Sequence, residues 1–566
     1  FGRGVAQDDL DEVPLAQMDN NAMWAWNHST APVFSRINYD ILDRQTSVEV
    51  NNAGALIASS TSYDFVPGPG NAFNYSKIES IDPLGNISVA IKDALGRDVQ
   101  FIDPNAGTIN FVYDNLGQLL SSTDPEGFTT QYQYDMLGRL TRRVHPDAGA
   151  TTIQYNPCGQ PIATTNGSND VIVTRYQYMR PISIQYSRFP ENDVTYTYGT
   201  SGNAAGRVVR IQDGSGIQTV DYDCMGNMTE NVRTFAIPGL DAVLNFKMNY
   251  QYDSWNRTQS IVYPDGETVG YSYDLAGNLI RIEGDKNGNI VNYVNDIQYE
   301  QHGLRSRIDY GNGTHDIYEY DAIQRLSKLY SSTSTANMQV LYYTYDDNSN
   351  IRELRNVAPA IMGGSMGGAY TNRYIYDNLS RLMSANISSS RNNHLNMNYS
   401  PAGRLDKKQQ VLTNPAQNQE LRFGYNNNNQ PHAPRRAFDN ANQTISDFQW
   451  DNNGNLCQVN NYDMVRNNPV YNNSRYLYWT EDSRLYSVVD QKYASYYGYD
   501  AAGARTTKLT GNTNEFNVDV NATYSESSMD VLTVFDNITL YASPYLVTTN
   551  RGYTKHYYAG NQRVCT

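Results

Sequence analysis

Carboxylates are the residues of this chain whose spacing first suggests chemistry. Asp93, Asp114 and Asp135 lie 21 residues apart, and Asn156 holds the next place. Two carboxyl groups about 5–10 Å apart can hydrolyse a glycosidic bond, so a row of aspartates invites that reading. Yet each one opens the same short string, ending in Gly or a substitute, and no pair stands apart from the others. Aspartate demanded at every turn is structural chemistry. The seven histidines, His28, His145, His302, His315, His394, His432 and His556, show no HExxH or other short ligand spacing. Gly284 to Asn289, GDKNGN, resembles a calcium loop, but its inner glycine is fourth where an EF-hand needs it sixth; a polar turn is expected. Cys158, Cys224, Cys457 and Cys565 have neither metal spacing nor the density of a disulfide framework. The expectation is therefore no catalytic residue, no metal ligand and no cofactor.

The elements that carry these aspartates follow from the string itself. In Tyr113-Asp114-x-x-Gly117, Tyr134-Asp135-x-x-Gly138, Tyr273-Asp274-x-x-Gly277 and Tyr499-Asp500-x-x-Gly503, Asp and Gly occupy the first and fourth positions of a type I turn. The same unit opens at Tyr252-Asp253, Tyr320-Asp321 and Tyr376-Asp377. Gly accepts positive φ there; Asp43, Asn256, Gln324, Ser349 and Ser380 replace it elsewhere, and since Asn and Asp tolerate left-handed backbone better than Gln and Ser, the Gln and Ser turns are expected to differ in type. A second turn signal falls about half a period away, as in Asp124-Pro-Glu-Gly127, Pro146-Asp-Ala-Gly149 and Pro264-Asp-Gly266. Two turns per period leave two strands of roughly five or six residues. The strand before each Asp often ends Tyr-x-Tyr, placing both rings on one face. Stacked hairpins would set these rings side by side as cross-strand pairs, each stabilising by roughly 0.2–1 kcal/mol. Lys92, Trp450 and Trp479 stand where the tyrosine should be. The arginines after many turns, including Arg97, Arg139, Arg257, Arg325 and Arg381, are expected as turn partners or rungs between hairpins.

Composition restricts the alternatives. Hydrophobic residues make up 39%, and no apolar run reaches the roughly 18–20 residues of a membrane helix. A net charge of -15 argues against a nucleic-acid partner, which needs clustered Lys and Arg. Aromatic residues at 12%, with 47 tyrosines, are too many for a disordered chain. One compact core is not expected in 566 residues, but a repeat protein grows in one dimension and avoids that limit. Little helix is expected.

These strings resemble the YD repeats of the RHS proteins, found also in the B and C components of insecticidal toxin complexes and, more distantly, in teneurins. The resemblance runs from about Tyr39 to the end. It implies an all-β strip of YD/RHS-repeat hairpins spiralling into a large hollow shell, over 39–566, with 1–38 as a connecting segment from an upstream domain. It implies a secreted or extracellular structural protein, not an enzyme, enclosing a C-terminal toxin or effector cargo until delivery. The implied partners are that cargo and either a flanking N-terminal delivery domain or toxin-complex subunits. The closing YTKHYYAGNQRV, from Tyr553, is similar to the stretch that leads into the autoproteolytic core of the bacterial members, and no residue of this sequence matches the catalytic aspartates of that core. Phe1 to Asp8 has no charged region followed by an apolar one, so the chain reads as an internal piece of something longer.

Several stretches stand outside the repeat. Met23 to His28, MWAWNH, fits no unit; Ala358 to Tyr370, APAIMGGSMGGAY, reads as a loop between strands or an adaptable methionine contact for cargo; Tyr425 to Phe438 reads as a long loop. Sequons such as Asn74-Tyr-Ser and Asn312-Gly-Thr are expected by chance in an Asn-rich chain. The rival to the shell is an adhesion protein or cell-surface binding module whose exposed tyrosines stack on glycans or protein partners.

Overall fold

The computed structural model describes residues 6–8, 33–68, 74–237, 243–361, 366–388, 393–415, 418–425, 430–465, 468–512 and 537–566. Met23 to His28 and most of 1–38 lie outside them. The chain divides into two compact units, Phe1–Phe128 with Asp296–Glu420, and Thr129–Asn295 with Leu421–Thr566. Each is built of short antiparallel strands that pair mainly with their neighbours in sequence. Val33–Tyr39 already pairs with Gln45–Asn52. Helical structure in the described residues is confined to short turns such as Pro190–Asn192 and Gly202–Ala204. The fold is all-β, as the repeat predicts.

The turn after each Tyr-Asp closes with two backbone bonds. Gly117 N–H donates to Asp114 O and Asp114 N–H to Gln118 O, with Gly117 at φ +86°. This is a type I turn followed by a left-handed bulge residue. The Asp114 carboxylate then accepts the N–H of Leu116 and of Gln118, at 2.9 and 2.8 Å. Turns at Asp82, Asp103 and Asp124, on the opposite edge of the strip, are closed in the same way. Thus two amides that would otherwise lack a partner are satisfied by one side chain.

One expectation is corrected. Asp43, Asn256, Gln324, Ser349 and Ser380 all adopt φ between 58° and 68°, so their turns keep the type of the glycine turns. Left-handed backbone in a non-glycine residue costs roughly 1–2 kcal/mol, and neighbouring units supply compensating bonds. Asn227 Nδ2 donates to Asn256 Oδ1, Arg325 Nη1 to Ser349 Oγ and Asn350 Nδ2 to Ser380 Oγ, each at 3.0–3.1 Å. All three donors sit in the fifth position of the preceding Tyr-Asp turn.

The arginine in that fifth position also corrects the picture of paired tyrosine rings. Arg139 Nε donates to Asp135 Oδ2 of its own turn at 2.7 Å, and its Nη1 reaches Asn156 O of the next at 3.2 Å. Its guanidinium lies 4.7 Å from the centroid of Tyr155. Arg97 over Tyr113, Arg257 over Tyr273, Arg325 over Tyr345 and Arg381 over Tyr399 repeat the stack at 4.3–4.8 Å. Cation–π attraction replaces ring-to-ring contact between these units. The tyrosine hydroxyl completes the link by donating backwards: Tyr155 to Leu140 O, Tyr273 to Thr258 O, Tyr320 to Arg305 O and Tyr376 to Ile351 O, at 2.9–3.0 Å.

A register slip accompanies each such tyrosine. Val112 pairs with Ser121 but Tyr113 with Leu119, and Gln133 pairs with Arg142 but Tyr134 with Leu140. The strand pairs across the opposite turns at 102–108 and 165–171 run without a slip. One extra residue sharpens the local twist at each such tyrosine, and a few opposite-edge hairpins, such as 282–294 and 331–339, carry slips of their own. Trp450 and Trp479 show which property of tyrosine is required. Their Nε1 donates to Pro434 O and Leu456 O at 2.8 Å, in the place of the hydroxyl.

The units differ in how much apolar surface they bury. In the second, Phe235, Ile237, Leu509, Leu540, Ala542 and Leu546 form a closed cluster. Buried apolar residues of the first include Ile308, Val340, Leu341 and Ala385. Where the core is thin, side chain to backbone links carry more of the order. Tyr376→Phe, in the first unit, should therefore cost about 1 kcal/mol, seen as roughly fivefold faster amide exchange in the hairpins on either side, while Tyr376→Trp should restore protection. Equal loss in both variants would show that ring packing, not the donor, matters.

Candidate functional site

The repeat-defining residues do not converge on one site. Tyr113, Asp114, Gly117, Tyr134, Asp135, Gly138, Tyr252, Asp253, Tyr273, Asp274 and Gly277 line successive turns, as do Tyr320, Asp321, Tyr376, Asp377, Tyr499, Asp500 and Gly503. Arg97 and Asn278 bond the Oδ2 of their own turn aspartates, as Arg139 does, and the carboxyls so held lie below the usual range. Asp135 is held low by the Arg139 amide and guanidinium together. Carboxylates saturated in this way are poor general acids or bases.

What the structure brings together is a seam between segments far apart in sequence, within each unit. In the first, Asn348 Nδ2 donates to Asp82 Oδ2 at 2.6 Å, Arg404 pairs with Glu126 at 2.9 Å, and Asn378 reaches Pro104 O. In the second, Ser168 N–H donates to Asn453 Oδ1 at 3.1 Å and Ala501 N–H to Asp213 Oδ2 at 3.2 Å. The partners lie 266–288 residues apart. In every case a tip of the Tyr-Asp type meets a turn of the opposite edge. No local sequence pattern marks such pairs.

Three histidine-rich or acidic points of the seam are closely built. His432 N–H and Nδ1 both bind the Asp147 carboxylate, at 2.9 and 2.6 Å, and His145 Nδ1 lies 3.7 Å from the same carboxylate. Among the described residues no group of three or more His, Cys, Asp or Glu could hold a metal ion. Buried Glu481 accepts the N–H of Arg188 and Phe189 at 2.5 and 2.9 Å. Buried Asp213 pairs with Arg233 at 2.7 Å.

A cavity of about 730 Å³ in the second unit adjoins the largest ionic cluster. Lys555 pairs with Asp265 at 2.8 Å and with Glu267; Lys286 reaches Asp265 at 2.6 Å. Tyr553 donates to Asp265 Oδ2 at 3.0 Å and Tyr293 to Glu267 Oε1 at 2.5 Å, while the Tyr293 ring stacks 3.9 Å from Tyr557. Each carboxylate is bound by a lysine and a tyrosine, so the group latches 553–557 onto 265–293. The Asn287-Gly288 turn that presents Lys286 is the polar turn expected of GDKNGN, with both residues at positive φ. Sequence reasoning missed the latch; the acids at a turn tip in PDGE and the lysine in YTKHYY were its only local signs.

Other expectations are refined by placement. Cys158, Cys224, Cys457 and Cys565 are free thiols. The stretch Ala358 to Tyr370 contains a two-residue ladder, Ala360–Ile361 with Met366–Gly367, and residues 362–365 lie outside the description. Of the loop expected at Tyr425 to Phe438, residues 426–429 lie outside the description, while Arg436–Phe438 is a strand, because it pairs with both neighbours. Tyr-x-Tyr rings face the more covered side, and the residues between or beside them, such as Gln133, Gln251 and Glu319, are exposed.

Two expected outcomes follow from the seam. Gly167 lies so near the carbonyls of Ala148 and Asn452 that an added methyl group would strike both. Gly167→Ala should unseat this tip, with exchange protection falling at 451–454 and 145–149 while the distant hairpins are unaffected. The second concerns acid. Burial raises the Asp265 carboxyl, but hydrogen bonds from Lys286, Lys555 and Tyr553 outweigh it and hold the group far below its ordinary value. Its stabilisation is complete above about pH 4 and fades only below. Burial leaves Glu481 above its ordinary value despite its two N–H donors, so its contact strengthens as pH falls toward about 4.5. Protection of 553–557 and of Arg188 and Phe189, corrected for intrinsic rates, should be no weaker at pH 5 than at pH 7, and Glu481→Gln should remove the pH response at Arg188. Loss of protection near pH 5 would contradict both assignments.

Comparison with known proteins agrees with this geometry. The RHS Repeat family model matches residues 113–151 and 252–290. The toxin subunit YenC1 of Yersinia entomophaga is 25% identical over 288 residues, 47% of this chain and 26% of that protein. A crystal structure of TcdB2-TccC3 superposes with a TM-score of 0.65 at 17% identity, over 94% of this chain and 31% of that one. The Photorhabdus luminescens Tc holotoxin pore gives 0.63 at 17%, over 93% and 30%. The chain thus spans about a quarter of the length of its curated relative and under a third of these solved chains. Repeat and fold point one way: the chain carries RHS repeats at 113–151 and 252–290 and shares the β fold of the TcdB2-TccC3 structure.

Proposed function

We propose that this chain forms the wall of a secreted toxin assembly, a shell that encloses a toxin or effector polypeptide until delivery. The observation that carries the reading is the seam. Within each unit, tips meet turns at a nearly constant sequence offset, as a winding strip requires and an extended one does not. The toxin subunits among its relatives support the same role. In this reading 39–566 is the shell, 1–38 connects it to an upstream domain or a toxin-complex subunit, and the Asp residues are structural rather than catalytic. The covering of the Tyr-x-Tyr rings tells against the adhesion reading, which needs those rings displayed.

The test is an electron cryo-microscopy map of the particle purified from its source, with the intact mass of every polypeptide in it. A closed wall with enclosed density and a second mass is the expected result. An open strip, or a closed wall with nothing inside, would overturn enclosure.

A further inference from the structure

The latch of the second unit holds a buried amine against two carboxyl groups. The Lys555 side chain is 9% exposed and that of Glu267 7%, and the rings of Tyr263 and Tyr553 have their centroids 4.8 and 5.6 Å from Nζ. Lysines paired elsewhere are placed differently: the side chains of Lys77, Lys92, Lys328 and Lys407 are each a quarter or more exposed, so water solvates their ammonium groups. Taking an ion pair out of water costs free energy that the attraction between the partners only partly offsets. An amide made from the same two groups carries no charge, so the enclosure that penalises the pair favours its condensation.

We infer that Lys555 and Asp265 condense into an intramolecular isopeptide bond, with Glu267 carrying the protons. Each group stands where that reaction needs it. Lys555 Nζ lies 2.8 Å from Asp265 Oδ1 and 2.8 Å from Oδ2, so it faces the carboxyl carbon between them. Glu267 Oε2 touches the same Nζ and accepts one ammonium proton, which frees the lone pair to attack Cγ. Negative charge stays on Oδ2 from carboxylate to tetrahedral intermediate, and Lys286 Nζ and the Tyr553 hydroxyl meet it there at 2.6 and 3.0 Å. The contacts that keep Asp265 ionised against the effect of burial therefore serve the intermediate as well. Glu267 passes two protons in succession from the nitrogen to Oδ1, which leaves as water as the carbonyl re-forms on Oδ2. The N–C bond replaces a C–O bond, the ion pair becomes an amide and one water, and Glu267 ends as it began; nothing is oxidised or reduced. Groups held in this way react at an effective concentration of roughly 10⁵ M or more, which favours the amide over hydrolysis. Lys286, with its side chain 44% exposed, keeps its charge. The bond ties residues 290 apart in sequence, goes beyond the wall reading and does not depend on it.

The test is mass spectrometry of the full-length protein from its source, reduced and denatured, with fragmentation of its proteolytic peptides. The expected chain is lighter than its sequence by the mass of one water and yields a branched peptide in which Lys555 is joined to Asp265. Lys555→Arg keeps the positive charge but offers no amine that can be deprotonated; it should regain the missing mass and migrate as a linear chain in a denaturing gel, where the wild type runs as a looped one. Glu267→Gln should form the bond about a hundredfold more slowly or worse, read as the branched fraction against time after refolding. A wild-type chain of full mass with no branched peptide would overturn the inference, and its mass is readable whether or not either variant folds. A branch at Lys286, or one that joins Lys555 to Glu267, would overturn it too, and bond formation in Glu267→Gln at the wild-type rate would remove that carboxylate from its assigned part.

Discussion

Everything in this architecture depends on one side chain saturating one turn. A hairpin strip exposes a row of amides at each edge, and an unpaired amide costs about as much as a lost hydrogen bond. The turn aspartate accepts two of them and keeps its second oxygen for the residue in fifth position. Gln118 and Ala504 stand there in some turns; where the residue is Arg or Asn it takes that oxygen, and the choice between the two has an electrostatic consequence. Arg neutralises the carboxylate, whereas Asn86, Asn227, Asn278, Asn350 and Asn455 leave the charge in place. The net charge of -15 is in part a by-product of turn chemistry, and needs no basic ligand to account for it.

The period, the turns and the all-β class were legible because they are local. Asp and Gly three residues apart fix a turn wherever they occur, and Tyr-x-Tyr fixes a face. The register slip at Tyr113 and Tyr134 was not legible, since a bulge is set by how the turn joins two strands and leaves no residue of its own in the pattern. Nor was the equivalence of Ser349 and Ser380 to glycine, which depends on donors one unit away. The seam lay furthest from view. Asp82 and Asn348 are 266 residues apart, and nothing near either one announces the other. The ring-to-ring pairing expected of the tyrosines failed for a related reason: the arginine that intervenes was visible, but its reach into the next unit was not.

Insertions between units are tolerated for the same physical reason that the seam is possible. Each link joins a unit to the next through a guanidinium, a hydroxyl and two carbonyls, so a longer hairpin changes the width of the strip without touching its links. Long-range contacts are then made only by turn tips, which keep their geometry whatever the strand length behind them. A core that demanded complementary packing across the whole face would not permit such drift, because interiors pack at near-crystalline density.

Seams of this kind should respond weakly to acid, and the structure gives the reason. Some carboxylates are held by lysine and tyrosine, as at Asp265 in the latch, and others are raised above their ordinary value by burial, as at Glu481 in the seam. The first contact loses strength only in strong acid, and the second gains as acid is added, so the two trends oppose one another over the range from neutral to about pH 4.5. Opening such a strip by protonation alone would have to work against Glu481 before it could release Lys555. Release by pulling apart the turn tips, each held by one or two polar bonds, demands no change of protonation at either place.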